Sequence, residues 1–351
     1  MKIKNYYHYL PRDYFHNLYA KVADKLLKSE NTCISVMYGC GGKTFLNLFL
    51  RLAEEDSLFK NIHYFDPEIE KEDIIEYTKN KLKRNNTRKL IVVRHFEKIE
   101  KKRETLEILN RLRQPHPENL IYLVITDHTG VTQPEKYMAK TNIFFPDRFY
   151  ISPFNLNQTT LMISITAKFF AWEIDERLYQ KLYKLSGGIP RLIKHIYKEI
   201  IENKTKIDSL DKFLKNAAIL FQLRYLTELL VTLDNDHLKT LGLINKENKI
   251  KSQLLGYYFN SYQSEMVAQL FPNLSFLEAK VFSYLYENKG EIVSIDKIGD
   301  LVEMSGSDFS LWAIYKLISR LKPKVKKYFN IGNIKGRGYV LQNINDKIIK
   351  K

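Results

Sequence analysis

Cysteine is almost missing from this chain. Its two copies, Cys33 and Cys40, are too few for a disulfide framework or a four-ligand zinc site, and a reducing cytoplasm is the expected compartment. Long apolar runs are missing too. None approaches the roughly 20 residues that a bilayer-spanning helix needs, and the opening Met-Lys-Ile-Lys-Asn-Tyr-Tyr lacks the apolar core of a signal peptide. No membrane partner is expected. There is no internal repeat, low-complexity tract or Gly/Ser-rich linker, and only residues 261–265 have the composition of a short connector. Two local absences say more. Acidic residues are missing from all of 309–345, a stretch with eight Lys/Arg, and none closes the aliphatic run Leu90-Ile91-Val92-Val93, which Arg94 and His95 follow.

What is present bounds the class. With 351 residues, 44% of them hydrophobic and 13% aromatic, the chain has material for two to four domains with true cores. Its 56 Lys/Arg against 40 Asp/Glu leave a net charge of +16, which favours a polyanionic partner or an anionic membrane surface.

The N-terminal half alternates strand and helix patterns. Thr32-Cys33-Ile34-Ser35-Val36-Met37-Tyr38 has the pattern of a buried strand, Gly39-Cys40-Gly41-Gly42-Lys43-Thr44 follows, and Phe45-Leu46-x-Leu48-Phe49-Leu50-x-Leu52 continues as an apolar helix. Strand, glycine loop and helix in that order make a phosphate-binding P-loop, because loop amides and the helix N-terminus present N–H groups to the phosphates. Lys43 would reach the β- and γ-phosphates and Thr44 would ligate Mg²⁺, so ATP or ADP with Mg²⁺ is the expected cofactor. Met37 stands where the consensus has its first glycine. Further strands are expected at 61–66, 89–93 and 120–126, with helices at 72–82 and 104–112 between them. Continuous aliphatic strands separated by helices predict a parallel sheet covered on both faces. Helices at 154–171 and 175–185 then lead to Ser186-Gly187-Gly188-Ile189-Pro190-Arg191.

Over residues 10–205 the order of these motifs resembles the AAA+ and STAND ATPases, where a Gly-Gly-x-Pro-Arg turn sets an arginine over the γ-phosphate. The resemblance implies that Gly39, Gly41, Gly42, Lys43 and Thr44 hold nucleotide, that Thr126 or Asp127 closes the strand 120–126, and that Arg191 is the lid arginine. Arg148 would be a trans-acting finger in a homo-oligomer. Those families end the strand 89–93 with one or two acids that hold Mg²⁺ and orient the attacking water. Arg94 and His95 at that point make rapid hydrolysis unexpected. Glu97 and Asp66 are the nearest candidate substitutes as catalytic acids, and each reads more readily as a helix-start or surface carboxylate.

Residues 207–259 carry a helical pattern, and 238–250 suits either the end of a small winged helix or an ordinary helix and hairpin. The C-terminal part is more specific. Leu274-Ser275-x-x-Glu278 opens a helix with apolar Val281, Phe282, Leu285 and Tyr286, which Asn288-Lys289-Gly290 stops. Ser294 is a plausible cap for a short helix over 297–302. A polar turn, Met304-Ser305-Gly306-Ser307-Asp308, precedes a second amphipathic helix over 309–322 that Pro323 should stop. The hairpin after it turns at Gly336 and Gly338.

This segment resembles the effector domain of the OmpR/PhoB family of bacterial transcription regulators, through Leu-Ser-x-x-Glu, Ile318-Ser319-Arg320-Leu321-Lys322 and Lys335-Gly336-Arg337-Gly338-Tyr339. In that family the second helix enters the major groove and the wing rests on the neighbouring minor groove. The resemblance makes Tyr315, Lys316, Ser319 and Arg320 candidates for base or phosphate contact, Lys322, Lys324 and Lys335 further DNA contacts, and Arg337 the wing contact. Trp312 and Leu311 stand where the family often has small polar or basic residues.

The expected fold class is an α/β P-loop NTPase domain, a parallel sheet with helices on both faces, followed by a helical lid and winged-helix (α+β) domains. The expected division is 1–152 for the NTPase core, 153–205 for the lid, 206–265 for the small winged-helix-like module and 266–351 for the DNA-binding domain. The expected function is nucleotide-switched binding of double-stranded DNA by a transcription regulator. The alternatives are an oligomeric DNA-dependent AAA+ ATPase and a catalytically inactive protein-binding scaffold.

Overall fold

The computed structural model describes residues 6–82, 87–139, 143–173, 175–271, 273–302 and 310–344, except the side chains of 262–270. The chain divides into two compact units, residues 1–219 with 240–243, and residues 220–239 with 244–351.

The first unit is built on five parallel strands, β1 (Thr32–Val36), β2 (Asn61–Phe65), β3 (Lys89–Val93), β4 (Leu120–Thr126) and β5 (Asp147–Ile151), in the order β2-β3-β4-β1-β5. Every residue of β3 and β4 is buried, as continuous aliphatic runs require when both faces of a sheet are covered. Four of these strands fall where strands were expected, but β5 carries Asp147, Arg148 and Tyr150 and is half exposed at the sheet edge, so its composition hid it.

Helices α1 (Leu18–Leu27), α2 (Gly42–Glu55), α3 (Ile74–Leu82), α4 (Lys102–Arg113) and the short α5 (Thr129–Thr132) connect and cover the strands. On α2 the buried residues Phe45, Leu48, Phe49 and Leu52 repeat at helical spacing, and Phe15 from the N-terminal segment meets Phe45 edge-on at 5.5 Å. A second layer follows: α6 (Leu156–Phe170), α7 (Leu178–Ser186), α8 (Pro190–Glu202) and α9 (Leu210–Leu214). Asn155 and Gln158 close a reciprocal capping box at the start of α6, and Pro190 opens α8 at a position where its missing N–H costs nothing.

Along the chain come α10 (Ala217–Thr232), α11 (Asn235–Leu241), an isolated bridge between Ile244 and Ile250, and α12 (Gln253–Leu270). Helix α12 runs through 261–265, so the expected connector is helical; Ser261, Gln263 and Ser264 are polar without being helix breakers.

The remainder of the second unit is a winged helix. It comprises α13 (Phe276–Glu287), β6 (Ile292–Val293), α14 (Ile295–Leu301), α15 (Leu311–Val325), β7 (Phe329–Ile334) and β8 (Gly338–Asn343). Antiparallel pairing gives the sheet order β6-β8-β7, and Phe282, Leu285, Ile314, Ile318, Leu321, Phe329 and Leu341 fill its core. Ser275 and Glu278, at the expected opening of the helix, form a capping box, and Ser294 accepts from the Lys297 amide as the expected cap. Pro323 does not stop α15. The helix continues to Val325, because burying Leu321 and Val325 in the core holds the last turn despite one missing hydrogen bond. The polar turn at Met304-Ser305-Gly306-Ser307-Asp308 lies outside the described residues.

Candidate functional site

At the carboxyl end of β1 the chain turns twice through left-handed backbone, at Gly39 (φ 89°) and Gly41 (φ 96°), before α2 begins at Gly42. Side chains other than hydrogen rarely adopt these angles. Met37 needs no such freedom: it has no positive φ and is fully buried, so the loop dispenses with the consensus first glycine without backbone strain. The buried Cys40 beside it is shielded from solvent, and burial pushes its thiol pKa far above the usual range, which makes it inert at neutral pH.

The loop opens onto a cavity of about 500 Å³ at the carboxyl ends of the strands, where open α/β sheets place ligands. Gly39, Gly41, Gly42, Lys43 and Thr44 line its floor. Arg94, His95 and Glu97 enter from the end of β3, Asp127 from the end of β4, and Arg191, Lys194 and His195 from α8. The structure therefore brings all six nucleotide candidates of the sequence together. Lys43 is exposed and makes no hydrogen bond or ion pair among the described residues.

Arg191 joins the second helical layer to the loop. Its amide donates to the Gly39 carbonyl at 3.0 Å, its guanidinium lies 4.5 Å from the Tyr38 ring centroid, and its buried Nη1 has no hydrogen-bond partner. Tyr38, Lys194 and His195 escaped the sequence reading, although three- and four-residue spacing from Arg191 along one helix was a usable signal for the last two. Burial and the neighbouring Lys194, Arg191 and Lys198 hold the His195 imidazole pKa below its ordinary value. Burial likewise lowers the Lys194 pKa, with Lys198 and Arg191 adding to the effect.

The turn before α8 fixes this geometry. Gly188 (φ 76°) passes so close to Phe154 that an added Cβ would lie 2.0 Å from the Phe154 carbonyl oxygen, and the Phe154 amide donates to Gly188 at 2.7 Å. Gly188→Ala is expected to lower the stability of this unit by about 1–3 kcal/mol through backbone displacement. Thermal melting checks it, and an unchanged midpoint would show that the turn relaxes freely.

The acids divide by role. Glu97 sits on a 3-10 turn (Phe96–Lys98) with one oxygen 3.1 Å from His95 Nδ1 and the other accepting the Asp127 amide at 3.2 Å. Asp127 accepts from the amide and the hydroxyl of Thr129. The Thr126 hydroxyl donates to Tyr137 at 2.8 Å, and both Thr126 and Asp127 line the cavity. Asp66 does not line the cavity. It is 2% exposed, accepts the Glu68 amide, and has the Arg94 guanidinium 3.9 Å away, so it is a turn-holding carboxylate. Arg148 donates to the carbonyls of Pro134 and Tyr137 within its own chain.

In the second unit, Tyr315, Lys316, Ser319 and Arg320 lie on the exposed face of α15, and Lys335 and Arg337 are exposed at the β7–β8 turn. Lys322 is half-buried, its ammonium 5.7 Å from the Tyr339 ring centroid. Lys324 is different: its ammonium donates to the buried Glu278 at 2.6 Å and to the Asn273 carbonyl at 2.9 Å, so its charge is neutralised inside the domain.

A glycine loop leading from an inner strand of a parallel sheet into a helix, with polar groups at neighbouring strand ends, defines a P-loop NTPase fold; here a helical layer and a winged helix follow it. No protein-family profile and no curated protein matches the sequence. Among solved structures the chain is similar to the Orc1 protein of Aeropyrum pernix in complex with DNA, at 12% identity and a TM-score of 0.43 over 98% of this chain and 95% of that one. It is also similar to the RuvB Holliday junction branch migration motor of Thermotoga maritima (12%, 0.41, 93% and 91%) and to the Walker-type ATPase PABY2304 of Pyrococcus abyssi (13%, 0.43, 94% and 92%).

Proposed function

We propose that this chain is a DNA-binding P-loop protein of AAA+ type in which ATP or ADP acts mainly as a conformational ligand. The observation that carries the nucleotide half is the cavity that Lys43, Thr44 and the glycine loop line together with Arg191. A triphosphate there would accept from Lys43 and from the amides of the loop and the helix N-terminus. Magnesium arriving with the nucleotide would take the Thr44 hydroxyl as a protein ligand, with the carboxylates of Glu97 and Asp127 lining the same cavity. The ion would spread the phosphate charge. Arg94 and His95 occupy the strand end where a metal-holding acid belongs, so slow turnover is the expectation and a fast motor is disfavoured.

The DNA half rests on α15 and the wing, whose exposed faces carry Lys316, Arg320, Lys326, Lys335 and Arg337 with no acid between residues 310 and 344. A duplex-binding titration of the full chain at several salt concentrations tests it. Lys326→Ala is expected to weaken all sequences alike and to reduce the salt slope by about one unit, whereas Arg320→Ala should also relax discrimination between sequences. No affinity for duplex at low salt would reduce the winged helix to a protein-packing module. Nucleotide-dependent affinity without turnover would mark a regulator, and turnover stimulated by DNA would mark an oligomeric ATPase.

A further inference from the structure

The cationic face of α15 also carries apolar surface that the domain leaves uncovered. Leu311, Trp312 and Tyr315 are 48%, 68% and 45% exposed, while Ile314, Leu317, Ile318 and Leu321 of the same helix are buried in the core. Trp312 and Tyr315 stand three residues apart and share one side of the helix. The Lys316 ammonium lies 4.7 Å from the Trp312 ring centroid, a cation–π contact that fixes the cation beside the indole, and the exposed Ser319 and Arg320 continue the face.

Charge selects the occupant. A protein-docking patch is rimmed by polar groups of both signs, but from 310 to 344 every charge is positive. Exposed rings on a segment whose own charges are all positive fit a polymer with an anionic backbone and flat aromatic bases. In continuous B-form duplex those base faces are covered by their neighbours, and the major groove offers edges alone. An indole gains stacking energy only on a base whose face is open.

We propose that Trp312, supported by Tyr315, is a stacking platform for unpaired bases, so that the winged helix prefers DNA containing an unpaired segment to continuous duplex. This rests on the reading of the winged helix as a DNA-binding domain. It also accounts for the two bulky residues, Leu311 and Trp312, that set this helix apart from the family pattern; a leucine beside the platform suits insertion between loosened base steps.

Trp172 is the only other tryptophan, and its ring packs on Phe170 and Tyr197, so Trp172→Phe keeps an aromatic ring there and leaves Trp312 as the single reporter. The full chain carrying that change is titrated with two DNAs of equal length, one continuous duplex and one duplex with a central run of mismatched pairs. The mismatched DNA should bind about tenfold more tightly and quench the Trp312 emission. Adding Trp312→Ala should weaken the mismatched DNA about tenfold more than the continuous duplex, so that the preference disappears, and Trp312→Tyr should restore much of it. Equal affinity for both DNAs in the parent overturns the proposal. So does an alanine variant that weakens both DNAs alike, or an emission that ignores DNA but shifts with protein concentration, the mark of a protein interface. Absence of binding to either DNA at low salt overturns the DNA-binding reading itself, and the platform falls with it.

Discussion

Replacing Lys43 with alanine should erase the rise in melting temperature that ATP with Mg²⁺ gives the unmodified chain. A ligand present at a hundred times its dissociation constant stabilises the folded state by about 2.7 kcal/mol through mass action alone, which for a unit of this size corresponds to roughly 5–10 °C. The Lys43 side chain is exposed and has no partner among the described residues, so the variant without nucleotide should melt within about 0.5 kcal/mol of the parent. The pair of measurements therefore separates loss of binding from loss of fold. An unshifted parent at millimolar ATP would end the nucleotide reading. A turnover of about 10 per second would contradict the role given to Arg94 and His95, since it would mean that Glu97 or Asp127 supplies a full catalytic acid despite their hydrogen bonds to His95 and Thr129.

The parts of the site that were legible in the sequence are those whose chemistry is local. Two glycines at positive φ, a lysine and a threonine must be neighbours in the chain to make a phosphate loop, so their spacing revealed them. Gly188 was legible for the same reason. The Arg94-His95 substitution was legible because it interrupts an aliphatic run that had to end at the cavity. What escaped depends on contacts between distant segments. Nothing near Asp66 in sequence shows that Arg94, twenty-eight positions on, sits beside it, or that Arg148 reaches back to Pro134 and Tyr137. The β5 strand escaped because an edge strand with one wet face has no continuous aliphatic run. Pro323 misled because its helix-breaking cost is real but is outweighed by the core contacts of Leu321 and Val325 on either side of it. In the winged helix the capping box of Ser275 and Glu278 was readable from four consecutive residues, but the second partner of Glu278, forty-six positions away, was not.

That second partner supports a strong stability prediction. Glu278 is 1% exposed and accepts the Ser275 amide at 2.6 Å and the Lys324 ammonium at 2.6 Å; Lys324 itself remains about one-third exposed. Burial alone would raise the Glu278 pKa, but the hydrogen bonds from Lys324 and Ser275 outweigh it and hold the carboxyl below its ordinary value. A carboxyl with a depressed folded-state pKa contributes stability that is present above its unfolded pKa and is lost as pH falls through the folded value. The parent winged helix should thus lose this contribution in the acid range below about pH 4. Lys324→Ala removes the cation and leaves the carboxylate buried with one partner, which should destabilise the domain at pH 7 by about 3 kcal/mol, the low end for a broken buried pair because Lys324 is partly screened by solvent. In that variant burial dominates and the Glu278 pKa rises, so protonation relieves the strain and the gap between variant and parent should narrow as pH falls from 7 towards 4. Amide hydrogen exchange over α13 and α15 reads this unit separately from the other. Combining Lys324→Met with Glu278→Leu should recover most of the loss, since an apolar pair of similar volume carries no desolvation penalty. Equal exchange rates in the parent and Lys324→Ala at pH 7 would show that the contact contributes nothing, and would return Lys324 to the set of cations free to meet a phosphate.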